Sequence, residues 1–434
     1  MAAVNQLIAD YFKLVFQVVD WIMLCQALGG LLMALPIGLL CIAKPLHTKI
    51  FFKSALLQYR GFIARSAVVL HTGKGFPLLM ISGLLTGVAN TVYFVLIPLV
   101  GTVWFGEREQ GTIYGIGWFA VSAGGLLATV LPTLLLHLSS PDEVAHDIHR
   151  VVYVFVFICV FSFSSLLGLC VLIPNMPAIP PSRVEAMRVQ AISSSIHELT
   201  MKKAIRDFII ELKVLITEVN NMILSLIFAI AQALFSVQYM MTPIISTDGD
   251  ESIATLASMK LRILISFSVG GLVAAVATGI AVDKFKQYNP MARFIGVALF
   301  LSSILMILCF YFKLQIVMYF AYFFYGAFIG SITAFVAEIL KQTVHLKVSE
   351  STQGIWLAIG MSVFTFIIPP VVRLVYSKYG PLYFFILNSS LALIPCIMAC
   401  SINPKLQRFL TETVRLMDGA ADIERNSPDG REQS

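Results

Sequence analysis

The chain alternates long apolar runs with short polar ones. Apolar runs lie near 21–43, 76–100, 113–136, 151–173, 223–243, 263–282, 294–312, 315–340, 355–376 and 381–401. Each is close to the roughly 20 residues an α-helix needs to cross the hydrocarbon core of a bilayer. Between the first two, residues 49–70 are apolar but carry Lys53, Arg60 and Arg65. That stretch reads either as an eleventh span or as an interfacial amphipathic helix, because cations in lipid are costly unless they snorkel or face a wet interior. The pattern predicts an all-α integral membrane protein of about 11 transmembrane helices, five before a long polar stretch and six after it.

Composition narrows the class. Of 434 residues, 58% are hydrophobic and 12% charged, where a soluble chain carries about 25% charge. An ordinary soluble enzyme, a disordered chain and a nucleic-acid binder are excluded on that ground. The net charge of +6 is too dilute for a basic patch. The bilayer is the expected surroundings. All seven cysteines fall in apolar runs, which argues against a disulfide framework or a zinc cluster. The first 19 residues are punctuated by Asn5, Gln6, Asp10, Lys13 and Gln17 and do not read as a cleavable signal peptide.

Charge placement sets the expected orientation. Lys44 and Lys49, then Arg183, Arg188, Lys202, Lys203 and Arg206, then Lys284, Lys286 and Arg293, then Lys341 and Lys347, then Lys405 and Arg408 mark alternate loops. The loops between them are poor in net positive charge: 139–150 holds Asp142, Glu143 and Asp147, and 246–258 holds Asp248, Asp250 and Glu251. The positive-inside rule puts residues 174–213 and the C-terminal tail in the cytoplasm. The expected units are a first bundle over 1–173, a cytoplasmic loop over 174–213, a second bundle over 214–402 and a cytoplasmic tail over 403–434. The plasma membrane is the expected location and a monomer the expected state.

The two groups of spans look alike. Gly30–Gly38 matches Gly271–Gly279 at an offset of 241, Gly83-x-x-x-Gly87 matches Gly326-x-x-x-Gly330 at 243, and Gly115-Ile matches Gly354-Ile at 239. Three matches in one order at nearly one offset suggest two homologous halves, as in the parallel repeats of the major facilitator superfamily. On that register the first clear span is helix 2. The partner of helix 7 would fall at about −17 to 3, so helix 1 is expected to be missing and a form extended upstream is expected to be the active one. The segment Gly279-x-x-x-Asp283-Lys284-x-Lys286 resembles the superfamily's Gly-x-x-x-Asp-Arg/Lys loop. Its aspartate is expected to latch one end by pairing with cations or helix termini. The matching position in the first half is Ile42, so no such latch is expected there.

Other residues are more specific. Val103-Trp-Phe-Gly106-x-x-Glu109-x-x-Thr112 precedes helix 5, Gly117-x-Phe119, Gly124 and Pro132 follow, Pro180-Pro-Ser-Arg183 follows helix 6, Asp20-Trp21 opens the first span and Phe335-x-x-Glu338 ends helix 10. With these the chain resembles the feline leukaemia virus subgroup C receptor-related family, the heme and choline/ethanolamine transporters of the superfamily, from about Asn5 onward. That resemblance implies a cage for a quaternary ammonium head built on helices 1, 5, 7 and 11. Its helix 5 glutamine position reads Ser122, its helix 7 tyrosine position reads Ser236 with Tyr239 one turn away, and its helix 11 glutamine position falls on Met361 or Ser362.

Binding in such folds occurs at mid-membrane between the halves. Candidates are Asn90 and Tyr93 on helix 4, Ser122 on helix 5, Gln232, Ser236 and Tyr239 on helix 7, and Trp356 and Ser362 on helix 11. Each also reads as a polar contact between helices. Asp283, Lys284 and Glu109 are gating candidates. No carboxylate or histidine lies at mid-span, which favours facilitated diffusion over proton symport. His137, His146 and His149 near Asp142 and Asp147 read as a solvated loop or a landing site for heme or metal. Asn388-Ser-Ser is a glycosylation sequon inside a span and is expected to be unused. No resident cofactor and no enzymatic chemistry is expected. The function expected is alternating-access transport of a small organic solute, by resemblance choline, ethanolamine or heme. The alternative is a non-transporting, receptor-like homologue.

Overall fold

The computed structural model describes residues 21–43, 76–106, 109–137, 160, 164, 177, 201–242, 253–344 and 348–402. Ten helices lie among them. They are α1 (Trp21–Ala43), α2 (Phe76–Trp104), α3 (Gln110–His137), α4 (Met201–Thr217), α5 (Val219–Met241), α6 (Ile253–Phe285), α7 (Tyr288–Tyr311), α8 (Gln315–Thr343), α9 (Glu350–Tyr379) and α10 (Pro381–Ser401). Seven of the described helices are long and apolar enough to cross a membrane by length and composition. Residues 1–20, 49–70, 139–159 and the tail after 402 lie outside the described residues, and with them the expected helix 1, the charged eleventh span, most of the 151–173 span, His146 and His149.

The ends of α1 and α10 coincide with their apolar runs. Others overshoot: α6 begins at Ile253 and α9 runs from Glu350 to Tyr379. Apolar runs mark what sits in hydrocarbon, whereas backbone hydrogen bonding carries a helix further into water. Prolines at 36, 98, 369, 370 and 395 stay inside helices, as membrane bundles tolerate. Helix ends are made by local chemistry. Gly380, at φ 90°, joins α9 to α10 in a conformation open to glycine. Lys286 and Lys313 take left-handed positions to close α6 and α7.

Helix pairs form at glycines. Gly83 and Gly87 of α2 bring its backbone against Ile22 and Gln26 of α1, and Gly326 and Gly330 of α8 do the same against Phe267 and Gly271 of α6. Small residues let backbones approach where dispersion, not water, drives helix association. These are the glycines of the sequence repeat, so the repeat is a repeat of packing. Two further seams join the early helices to the late ones: α3 lies along α6, and α1 along α9. The larger apolar core belongs to α5–α10, and a smaller one gathers α1 and α2 with Phe208 of α4 and Ile355 of α9. Within the larger core Asn388 of α10 ties α5 to α8, accepting from Gln238 Nε2 at 3.0 Å and donating to Tyr325 Oη at 3.0 Å.

The polar stretch before α5 contains α4, which crosses the expected boundary at 213/214. Phe208 and Leu215, seven residues apart, are buried on one side of it. Phe208 joins the α1–α2 core and Leu215 joins the α5–α10 core. A short helix thus lies across both groups of spans, at the end of the bundle where α3, α5 and α9 begin.

Candidate functional site

At that end, α3 meets α6. Gly279 of α6 packs against the backbone of Gly111. One turn on, the Asp283 carboxylate reaches the first N–H groups of α3. It accepts from Gly111 N at 2.9 Å, Thr112 N at 2.7 Å and Thr112 Oγ1 at 2.6 Å. The early N–H groups of a helix have no partner within it, and the helix dipole favours an anion there. Here the cap comes from another helix, 171 residues away in the chain. This gives the Gly-x-x-x-Asp spacing a physical reason: the glycine closes the distance, and the aspartate one turn later uses it. A Cβ at Gly111 would lie 2.7 Å from Asp283 Oδ1, so the capped turn needs glycine too. Beside it Lys341 Nζ of α8 donates to Gln110 Oε1 at 2.6 Å, and both side chains are buried.

The other seam carries a matching feature from a different source. Ser349 caps α9, accepting from Thr352 N. Glu211 of α4 accepts from Ser349 Oγ at 2.7 Å and from Thr352 Oγ1. Thr352 and Thr112 are 240 residues apart, the spacing of the repeat. Asp283 thus has a counterpart. It is not at Ile42, where symmetry would put it, but on α4.

Above this end three rings from different helices meet: Phe94 of α2, Trp118 of α3 and Phe228 of α5, with centroids 5.4, 6.3 and 5.9 Å apart in pairs. Trp356 of α9 donates its Nε1 to Ser225 Oγ at 2.7 Å, one turn before Phe228. The sequence-predicted binding residues fall in separate groups, and Tyr239 lies three turns beyond Phe228 on α5. Tyr239 Oη pairs with Ser268 Oγ of α6 at 2.8 Å and abuts Gly125 of α3. Buried Ser122 faces Gly271 of α6. On the opposite seam buried Ser362 meets Gly30 and Thr91, whose hydroxyl binds the carbonyls of Gly30 and Gly87. Asn90 and Tyr93 are half-buried on α2. Ser236 turns its hydroxyl onto the carbonyl of buried Gln232, at 3.0 Å. Glu109 and Lys284 are exposed, and Lys284 lies over the neighbouring Phe285 ring at 5.9 Å.

Phe94, Phe228, Gln110, Lys341 and Glu211 were absent from the expected site. Phe94 and Phe228 sit in unbroken apolar runs, and nothing in sequence separates a ring at a junction of helices from one in the core. Gln110 and Lys341 are 231 residues apart and pair only through the fold. Among the described residues no group of His, Cys, Asp and Glu is arranged to hold a metal.

Comparison with known proteins agrees with this architecture. Residues 1–356 match the profile of the Major Facilitator Superfamily. The chain belongs to that superfamily and is a multi-pass membrane transporter of unspecified substrate. An uncharacterised MFS-type transporter of Caenorhabditis elegans is 22% identical over 415 residues, covering 95% of this chain and 67% of the relative. The human choline/ethanolamine transporter FLVCR2 is 22% identical over 293 residues, covering 66% of this chain and 51% of its own. The match thus spans about half the length of the human protein. Among solved structures, the proton:xylose symporter XylE superposes with a TM-score of 0.68 at 14% identity, over 91% of this chain and 90% of its own. The Escherichia coli fucose:proton symporter FucP gives 0.62 at 13%, over 92% and 93%. At these identities the likeness is one of fold.

Proposed function

We propose that this protein carries a small organic amine of the choline/ethanolamine class by alternating access, with the α3, α5 and α9 starts forming the closed end. The observation that carries the gating part is the Asp283 carboxylate taking three hydrogen bonds from the start of α3 across a seam. Opening that end pulls α3 from α6 and exposes those donors. Asp283 therefore acts as a latch, and Glu211 on Ser349 and Thr352 as a second one. Exposed Lys203, Arg206, Lys213, Lys284, Lys286 and Arg293 gather at the same end, which supports a cytoplasmic orientation for it.

The substrate class rests on the similarity to the human choline/ethanolamine transporter and on the chemistry around the rings. Phe94, Trp118 and Phe228 form an aromatic floor, and a desolvated cation over such faces gains about 2 kcal/mol. Ser122 and Asn90 lie one helical turn from Trp118 and Phe94, and with Ser362 they offer hydroxyl and amide partners for an alcohol. With an apolar floor and neutral walls, the substrate's own charge travels with it, which fits facilitative movement.

Uptake of labelled choline and ethanolamine by cells expressing the full chain tests this. The expected result is saturable uptake, lost in Trp118→Ala at equal surface expression. No uptake of either amine above vector control overturns the substrate class. Uptake unaffected by both Asp283→Ala and Glu211→Gln overturns the latch.

A further inference from the structure

The face of α4 left exposed among the described residues has an ordered pattern. Ile205, Ile209 and Ile216 fall on one stripe at spacings of four and seven, and are 39%, 58% and 47% exposed. Arg206 and Lys213, seven apart and exposed, run beside it, with exposed Lys203 and 55%-exposed Ile210 on the same flank. The two acids of the helix lie elsewhere: Glu211 is committed to Ser349 and Thr352, and Asp207 makes an exposed contact of 3.6 Å with Arg206, too weak to neutralise it. Going round the helix one meets the side buried by Phe208 and Leu215, then the isoleucines, then the cations.

We infer that this outer face of α4 binds the anionic headgroups of the adjoining membrane leaflet. Three observations single out lipid. First, α4 connects directly to spanning helix α5 through Glu218 alone, so its height is that of the bilayer surface. Second, it packs against spanning helices α1, α5 and α9 at the end where α5 and α9 begin. The isoleucine stripe thus lies beside the ends of helices that carry exposed Leu32, Leu35 and Ile367 further along. Third, the apolar stripe with flanking cations is the arrangement of a helix lying in an interface, where isoleucine enters the acyl boundary and Lys or Arg reaches phosphate. A soluble partner would have to displace that lipid.

The consequence is regulatory. The same helix presents Glu211 to the start of α9 on its inner side. Lipid held on the outer side fixes the position from which Glu211 works. Anionic lipid then favours the closed end, and neutral lipid frees it. This consequence rests on the latch reading above, whereas the binding itself does not.

The test uses the purified full chain in nanodiscs, with native cysteines replaced by alanine and Ile209→Cys carrying an environment-sensitive dye. One set of discs holds phosphatidylcholine alone and one holds phosphatidylserine at one part in five. Quenching by doxyl-labelled phosphatidylserine is compared with quenching by doxyl-labelled phosphatidylcholine at equal fraction. Each cation near an anionic surface contributes about 1 kcal/mol, so the serine lipid is expected to quench at least ~3-fold more. In Lys203→Gln/Arg206→Gln/Lys213→Gln the two lipids quench alike. Equal quenching in the unsubstituted helix overturns the anionic preference. A water-like spectrum overturns burial of the stripe in lipid, and a blue-shifted dye quenched by neither lipid means protein covers the stripe and overturns it too. Failure of amine uptake leaves these readings untouched, so the two proposals fail separately.

Discussion

At the scale of single residues, the proposed closed end rests on two carboxylates, their two threonine partners and Ser349. Asp283 accepts from two backbone N–H groups and one hydroxyl, and Thr112 supplies two of the three donors. A hydrogen bond to a charged group is worth about 1.5–3 kcal/mol net. Thr112→Val keeps the backbone donor and removes the hydroxyl, so it is expected to shift the closed-to-open ratio about tenfold, and Asp283→Ala further. The measurement is alkylation by a permeant maleimide of a cysteine placed at Val282, one residue before Asp283 and 2% exposed. An unchanged labelling rate in Asp283→Ala removes the latch. Asp283 and Thr112 were both visible in sequence because each lies in a short motif with its own spacing. Glu211 was not, because it stands in a charged stretch that reads as loop, and its partners become neighbours only after the chain turns back.

At the scale of elements, the pairs are set by glycine and the spans by apolar length. A Cβ on Gly115 of α3 would lie 2.6 Å from the Ala275 carbonyl of α6, while at Gly124 nothing lies within 4 Å. Gly115→Ala therefore forces the seam apart. It is expected to cost about 1–3 kcal/mol and to lower the melting temperature in detergent, with Gly124→Ala as the neutral control. Equal melting temperatures would mean the seam is looser than its geometry. The element scale was the most legible in sequence. Hydropathy found the positions of α1, α2, α3 and α5–α10, since only unbroken backbone hydrogen bonding survives in lipid. It missed α4, whose two buried residues are too few for a hydropathy run and whose amphipathic pattern is interrupted by charge. The Asn388 sequon was expected to be unused because it lies inside a span; what hydropathy could not give is its role as a buried bridge from α10 to α5 and α8.

At the scale of the whole molecule, the two-fold relation read from glycine offsets recurs in the packing of α2 on α1 and of α8 on α6. It recurs again in Thr112 with Asp283 and Thr352 with Glu211. The relation breaks at the source of the second carboxylate, and sequence symmetry pointed to Ile42 for it. Orientation is tested at this scale. Lys286 and Lys313 are both exposed and sit at opposite ends of α7. A cysteine at Lys313 is expected to react with a membrane-impermeant maleimide applied to intact cells, and one at Lys286 only after permeabilisation. The reverse pattern would invert the bundle. The candidate binding residues were the least legible part. Polar letters within a span show that a partner exists, but which neighbour it meets depends on helix rotation, and hydropathy carries no such information.

If the paired carboxylate caps act as the proposed latches, they make the two faces of the membrane unequal. Two contacts of about 1.5–3 kcal/mol each, on Asp283 and Glu211, hold the unloaded protein in one posture by roughly a hundredfold or more. A solute arriving at the open face finds nearly every molecule ready. One arriving at the latched face must wait for the rare molecule that has sprung open, and its apparent affinity falls by that same fraction. Half-saturation measured for efflux should therefore sit far above that measured for influx, with a maximal rate raised in the same proportion, since a facilitative carrier must keep the same ratio of maximal rate to half-saturation in both directions.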